Sequence, residues 1–216
     1  MKNLLEALRS PTYRVIDPVV RWMVRRRIHP NAVTTLGFLS VVAAGALYHL
    51  DHVRWAGALV LFGGVWDVFD GQLARVSGLA SKFGAFYDST LDRISEIVVF
   101  LGLLSLYNRY GGELGDIWMV YALFLAMGGS LMVSYTRARA EGLGLDCKVG
   151  LMQRPTRVFL LGFGSVSFGL MWGGLVLNTV IVLVAVLTNV TTVQRILWVQ
   201  RRASGVPVDD PALRGQ

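Results

Sequence analysis

"DVFDGQLARVSGLASKFGAFYDSTLD", residues 67–92, sets four aspartates into a chain whose remainder is written for lipid. On a helix, Asp67 and Asp70 lie three positions apart and Asp88 and Asp92 four apart, so each pair projects from one face of its own helix. Facing residues of an antiparallel hairpin keep a constant index sum. The sums for Asp67 with Asp92 and for Asp70 with Asp88 differ by one, which sets both pairs at one depth about a turn at "SGLAS", 77–81. Small residues suit that turn, and Gly71, Ala74 and Gly84, on or beside the same faces, let backbones and ligands approach closely.

The chain around this hairpin is too apolar for an ordinary soluble domain: 54% of its 216 residues are hydrophobic and only 16% are charged. A crossing takes about 20 apolar residues, so six crossings would use roughly 120. Spans are expected at about 31–50, 54–77, 83–107 and 116–140. The stretch 158–194 carries no charged side chain and holds two more, broken at "WGGL", 172–175. The first 27 residues hold seven basic residues and no long apolar core before a cleavage site, which argues against a removable signal peptide. Ser10-Pro11 and Asp17-Pro18 each read as a helix cap followed by proline. Beyond the second, Val19, Val20 and Met23 recur at helical spacing while Arg21, Arg25 and Arg26 point elsewhere, as in a helix lying on a membrane.

With six spans both chain ends share a side, and all but Arg54 and Arg109 of the 21 Lys and Arg residues fall there. The positive-inside rule makes that side cytoplasmic. The formal charge of +7 is thereby assigned to orientation in the inner (cytoplasmic) membrane rather than to nucleic acid, since no soluble basic face forms. The expected organisation is all-α: an amphipathic interfacial segment at 1–30, a six-span domain at 31–202 and a disordered cytoplasmic tail at 203–216. The single cysteine, Cys147, excludes an internal disulfide and the usual multi-cysteine zinc sites.

A carboxylate at the middle of a membrane helix costs about 2.5–3.5 kcal/mol, so four unpaired ones cost on the order of 10. Arg75 and Arg93 can neutralise part of that charge. Four hard oxygen donors converging from two helices suit Mg²⁺, with Mn²⁺ as the alternative, and two such ions would balance four charges. A proton or cation pathway also keeps intramembrane carboxylates, but spreads them along a conduit rather than in matched pairs.

The spacing Asp67, Asp70-Gly71, Ala74-Arg75, Gly84, Asp88, Asp92 resembles the signature of the CDP-alcohol phosphotransferase family in every residue type and interval, eight fixed residues over 26 positions. The resemblance implies a homodimeric membrane enzyme that transfers a phosphatidyl-type group from a CDP-linked lipid to an alcohol and releases CMP. It also implies that Asp67, Asp70 and Asp88 hold two metal ions, with Asp92 both a ligand and the general base for the attacking hydroxyl. Gly71, Ala74 and Arg75, with Ser81 in the turn and Asn31, Ala32, Val33 and Thr34 at the start of the first span, then resemble the family's contacts to the cytidine diphosphate.

The acceptor is read from "SYTRARAEGLGLDCKVGLMQRPTR", 134–157, and "TTVQRILWVQRR", 191–202. Arg137, Arg154 and Arg195 fall near the depth of the aspartates, and three guanidiniums aimed at one cavity would bind a phosphate through charge-assisted hydrogen bonds. Arg139, Lys148, Arg157, Arg201 and Arg202 read as anchors at the cytoplasmic surface. The runs "SYTRARAE", "QRPTR" and "VQR" resemble the phosphatidylinositol phosphate synthase branch. That implies CDP-diacylglycerol as donor and inositol phosphate as acceptor, with glycerol 3-phosphate as the alternative.

Overall fold

The computed structural model of the chain describes residues 11–110 and 117–203, with side chains from residue 17 onward. Within these residues there are seven α-helices and no strand: α1 Pro11–Arg25, α2 Pro30–His49, α3 Val53–Ser77, α4 Lys82–Tyr110, α5 Ile117–Glu141, α6 Arg154–Phe168 and α7 Leu175–Ala203, with a 3₁₀ turn at Met171–Gly174. The expected cap at Ser10, the start of the fourth span at Asp116 and the tail over 204–216 lie outside the described residues. Among the described residues, three stretches are long and apolar enough to cross a membrane: α2, α5 and the 33 residues Met171–Ala203.

Local chemistry explains the boundaries that position the site. α2 opens with Pro30 at its start, where a missing N–H costs nothing, and His29 Nδ1 accepts from the Asn31 N–H at 3.2 Å. α3 stops at Gly78, whose φ of 70° is the left-handed value that favours glycine. Four residues later α4 has begun, with Ser81 Oγ accepting from the Gly84 N–H at 3.0 Å. The "SGLAS" turn is thus a glycine stop followed by a serine start.

Two expectations are corrected. Asp17-Pro18 does not start a second helix, because α1 runs continuously through Pro18. Val20 and Met23 are buried in a cluster with Val33 and Leu73, and that packing outweighs the hydrogen bond proline removes. The chain also breaks earlier than "WGGL": Gly169 already has a φ of 53°, and Trp172, Gly173 and Gly174 follow with positive φ. α6 is consequently only 15 residues long.

Helices α2 to α7 close a ring, in which α2 packs on α3, α3 on α6, α6 on α7, α7 on α5, α5 on α4 and α4 back on α2. The matched index sums predict a directly packed α3–α4 hairpin. Instead α2 lies against both helices, and α3 and α4 are not a closely packed pair among the described residues. Glycines let α2 do this. A Cβ at Gly45 would stand 2.6 Å from Val98 of α4, and one at Gly63 of α3 2.5 Å from Val41. Polar bonds cross the interior, with the fully buried Tyr48 hydroxyl 2.7 Å from Ser165 Oγ and the Tyr107 hydroxyl bonded to Asn178.

The α3–α6 contact is equally close: a Cβ at Gly57 would lie 2.6 Å from Ser165 Cβ and 2.7 Å from the Gly162 carbonyl oxygen. Backbone cannot rotate away as a side chain can. Gly57→Ala is therefore expected to destabilise the fold by about 1–3 kcal/mol, as overpacking does, read as a lower thermal midpoint in detergent. An unchanged midpoint would show that these helices are not in contact there.

Candidate active site

α2, α3 and α4 splay apart around a solvent-open cleft of about 660 Å³. Asn31 and Thr34 reach it from the first turn of α2, Asp70, Gly71, Ala74 and Arg75 from the last turns of α3, Ser81 from the turn, and Gly84 and Asp88 from the start of α4. Six of the eight residues expected to contact a donor, Asn31, Thr34, Gly71, Ala74, Arg75 and Ser81, therefore meet in one cavity. Ala32 and Val33 do not line it: Ala32 faces outward and Val33 is buried behind the wall with Leu73. Gly84 is needed at the close approach, since a Cβ there would stand 3.1 Å from Ser81 Oγ and 3.4 Å from Asn31 Oδ1. Thr35 and Tyr87, 2.9 Å apart at their hydroxyls, tie α2 to α4 beside the cleft.

At its inner end Asp67, Asp70 and Asp88 each present a carboxylate oxygen, all within 4.8 Å of one another. Asp70 is 5% exposed and its Oδ2 is buried without a hydrogen-bond partner. A buried carboxylate oxygen without a donor is costly, and three hard oxygens at this spacing fit a divalent cation of the Mg²⁺ or Mn²⁺ type. Asp92 is held differently. Arg154, the first residue of α6, donates from Nη2 to Asp92 Oδ1 at 2.7 Å and from Nη1 to Asp67 Oδ2. Arg154 thus sits against the acidic quartet; Arg137 and Arg195 are the other two arginines expected to bind a phosphate.

Those two, Arg137 and Arg195, are electrostatic neighbours flanking Cys147. Arg195 is 3% exposed, donating from Nε to the Val149 carbonyl at 2.9 Å and from Nη1 to the Val133 carbonyl. Arg137 is exposed and pairs with Glu141 at 2.8 Å. Cys147 is buried in the α5–α6 loop, and burial pushes its thiol above the usual range, as in an inert structural cysteine. Of the two arginines expected to neutralise part of the charge, Arg93, bonded to the Ser89 carbonyl, lies where its charge offsets part of that of Asp88 and Asp92, whereas Arg75 bonds to Gln72 at 3.3 Å.

Arg157 is no surface anchor. It is 2% exposed and donates from Nε and Nη2 to Glu96 Oε1, the Nε bond being 3.1 Å. One signal for this pair was present in the sequence: Glu96 continues the Asp88–Asp92 face by one more helical turn.

Comparison with known proteins agrees with this geometry. The model of the CDP-alcohol phosphatidyltransferase family matches residues 27–191. An archaetidylinositol phosphate synthase of Methanothermobacter thermautotrophicus is 34% identical over 201 residues, 93% of this chain and 96% of its own. A phosphatidylinositol phosphate synthase of Mycobacteroides abscessus is 34% identical over 199 residues, 90% of this chain and 87% of its own. The crystal structure of the Mycobacterium tuberculosis phosphatidylinositol phosphate synthase with CDP-DAG bound matches with a TM-score of 0.76 at 32% identity, covering 86% of this chain and 94% of that one. The structure of that enzyme in complex with manganese and citrate also matches with a TM-score of 0.76, at 31% identity, over 86% and 88% of the two chains. The chain, a membrane protein by its apolar helices and a transferase by this kinship, belongs to the CDP-alcohol phosphatidyltransferase family.

Proposed function

We propose that this chain transfers the phosphatidyl group of CDP-diacylglycerol to a phosphorylated polyol, inositol phosphate in the first place, giving phosphatidylinositol phosphate and CMP. The observation that carries this reading is the convergence of the Asp67, Asp70 and Asp88 carboxylates, with Asp70 and Asp88 lining the same cleft as the residues expected to contact a donor. Asp67, Asp70 and Asp88, joined by Asp92, would hold two divalent cations, Mg²⁺ or Mn²⁺. When bound, such ions neutralise the diphosphate and polarise its reacting oxygens.

The chain's own groups do the rest. Asn31, Thr34, Gly71, Ala74, Arg75 and Ser81 embrace the cytidine diphosphate, with Ala32 and Val33 giving only the backbone of that first turn. Arg154, with Arg137 and Arg195, meets the acceptor's phosphate and brings its hydroxyl to the donor. That hydroxyl attacks the phosphorus bearing the diacylglycerol and loses its proton to Asp92. The phosphorus–oxygen bond to CMP breaks as the bond to the acceptor forms. Positioning and charge neutralisation are the main demands of such a transfer.

The same reading makes α2 to α7 six membrane spans within a catalytic domain over 31–202. The lengths of α3 and α4, 25 and 29 residues, support this, as does their place in one closed ring with α2, α5 and α7. α1 lies on the cytoplasmic surface, its Arg21, Trp22 and Arg25 and the following Arg26 outward and its Val20 and Met23 against the bundle. Both ends of the chain are cytoplasmic, the membrane is the inner one, and the enzyme acts as a homodimer.

A competition assay tests the acceptor. Purified protein in CDP-diacylglycerol vesicles with Mg²⁺ receives equimolar inositol phosphate and glycerol 3-phosphate, and the lipid product is identified by mass. Phosphatidylinositol phosphate as the major product is expected. Phosphatidylglycerol phosphate would replace the acceptor, and ion flux without CMP release would replace the enzyme with a transporter.

A further inference from the structure

The loop between α5 and α6 ends on the residue proposed to meet the acceptor's phosphate, and its last turn is stitched down at four points. Arg195 Nε donates to the Val149 carbonyl at 2.9 Å. Gly150, at a φ of 114°, lies so close to α7 that a Cβ would stand 2.3 Å from Thr191 Cγ2. The Met152 N–H donates to Thr191 Oγ1 at 3.1 Å, and the Met152 carbonyl accepts from Arg157 Nη1 at 3.0 Å. Arg157 is in turn clamped by two donations to Glu96 Oε1.

Glu96 stands one turn beyond Asp92 on α4, and Arg157 one turn beyond Arg154 on α6. The two pairs, Arg154 with Asp92 and Arg157 with Glu96, therefore form successive rungs between the same two helices. The outer rung is part-exposed, with the Arg154 side chain 23% exposed, whereas the inner rung is closed, with side chains 3% and 9% exposed. A part-exposed guanidinium can turn toward a ligand. A buried one whose three nitrogens all have acceptors cannot do so without abandoning a buried carboxylate.

We propose that Glu96, Arg157 and Thr191 are positioning residues for the acceptor: they fix the loop Val149–Met152, and through it the backbone of Arg154, so that its guanidinium turns to the acceptor's phosphate from a fixed base. None of the three touches the reacting atoms. Their effect falls on recognition of the anionic acceptor and leaves the nucleotide cleft, built from α2, α3 and the start of α4, as it was.

This inference rests on the proposed function, and full-length protein in CDP-diacylglycerol vesicles with inositol phosphate tests both. For Glu96→Gln and Arg157→Lys the acceptor KM is expected to rise about 10- to 100-fold, the loss of one charge-assisted bond, with the donor KM within about twofold of wild type. Thr191→Val keeps the shape and deletes only the hydroxyl, so it should raise the acceptor KM about three- to tenfold. Thr191→Ser, which restores the hydroxyl and removes the methyl, should recover most of that loss. If the buried-pair variants do not fold, the two Thr191 variants decide. Acceptor and donor KM rising together, or an acceptor KM that stays put while only the thermal midpoint falls, would overturn the positioning role. Wild-type protein that releases no CMP with either inositol phosphate or glycerol 3-phosphate would instead overturn the functional reading beneath it.

Discussion

Replacing Asp88 or Asp67 by asparagine is expected to lower the rate of CMP release by about 10³-fold or more while leaving the fold intact. Three carboxylate oxygens lie within 4.8 Å of one another here, and each substitution exchanges one of them for a neutral amide of the same shape. A metal centre supplies several kcal/mol of transition-state charge stabilisation, and each 1.36 kcal/mol lost is a factor of ten. Crowded like charges also repel, so the cation-free Asp88→Asn variant, which breaks no ion pair, should unfold at the wild-type temperature or above it. Steady-state CMP release, measured alongside thermal unfolding in detergent, separates these effects. A variant that turns over at the wild-type rate would remove its carboxylate from the chemistry.

Arg154→Gln should act on two quantities in opposite directions. Its guanidinium joins Asp67 to Asp92, so it competes with any cation for those oxygens, and it is also the proposed contact to the acceptor's phosphate. The acceptor KM is expected to rise about 100-fold, the upper range for a hydrogen bond to a charged group. The affinity for Mn²⁺ alone should increase, because the substitution frees two carboxylates from a positive competitor. Kinetics against acceptor concentration and a Mn²⁺ titration followed by electron paramagnetic resonance read the two effects independently. Weaker Mn²⁺ binding in the variant would mean that Arg154 supports the metal site rather than competing for it.

The parts of this site that were legible in the sequence are those set by short-range rules. Helical spacing put Asp67 with Asp70 and Asp88 with Asp92, and the glycine and serine of "SGLAS" supplied a helix stop and a helix start. Long uncharged runs marked α2, α5 and α7. What was hidden depends on residues far apart along the chain. Arg154 reaches Asp67 across 87 positions, and Arg157 reaches Glu96 across 61, and no periodicity encodes which arginine turns inward. The counting rule that aligned the two acidic pairs gave their common depth correctly. It could not reveal that α2, with Gly45 and its neighbours, would take the space between α3 and α4 and open the cleft at their ends. Pro18 and Gly169 show the same limit on a local scale, where burial of Val20 and Met23 carried α1 through a proline and a glycine ended α6 before the expected break.

The central claim is that the acidic quartet holds divalent cations against a nucleotide-activated lipid. Crystals of the protein grown with Mn²⁺ and CDP-diacylglycerol, measured at the manganese absorption edge, test it most directly. The account predicts anomalous peaks at about 2.0–2.2 Å, the usual range for a small divalent cation, from oxygens of Asp67, Asp70 and Asp88, with the donor's diphosphate against them. Manganese bound elsewhere, or a donor seated in the cleft with no anomalous signal beside those aspartates, would contradict it.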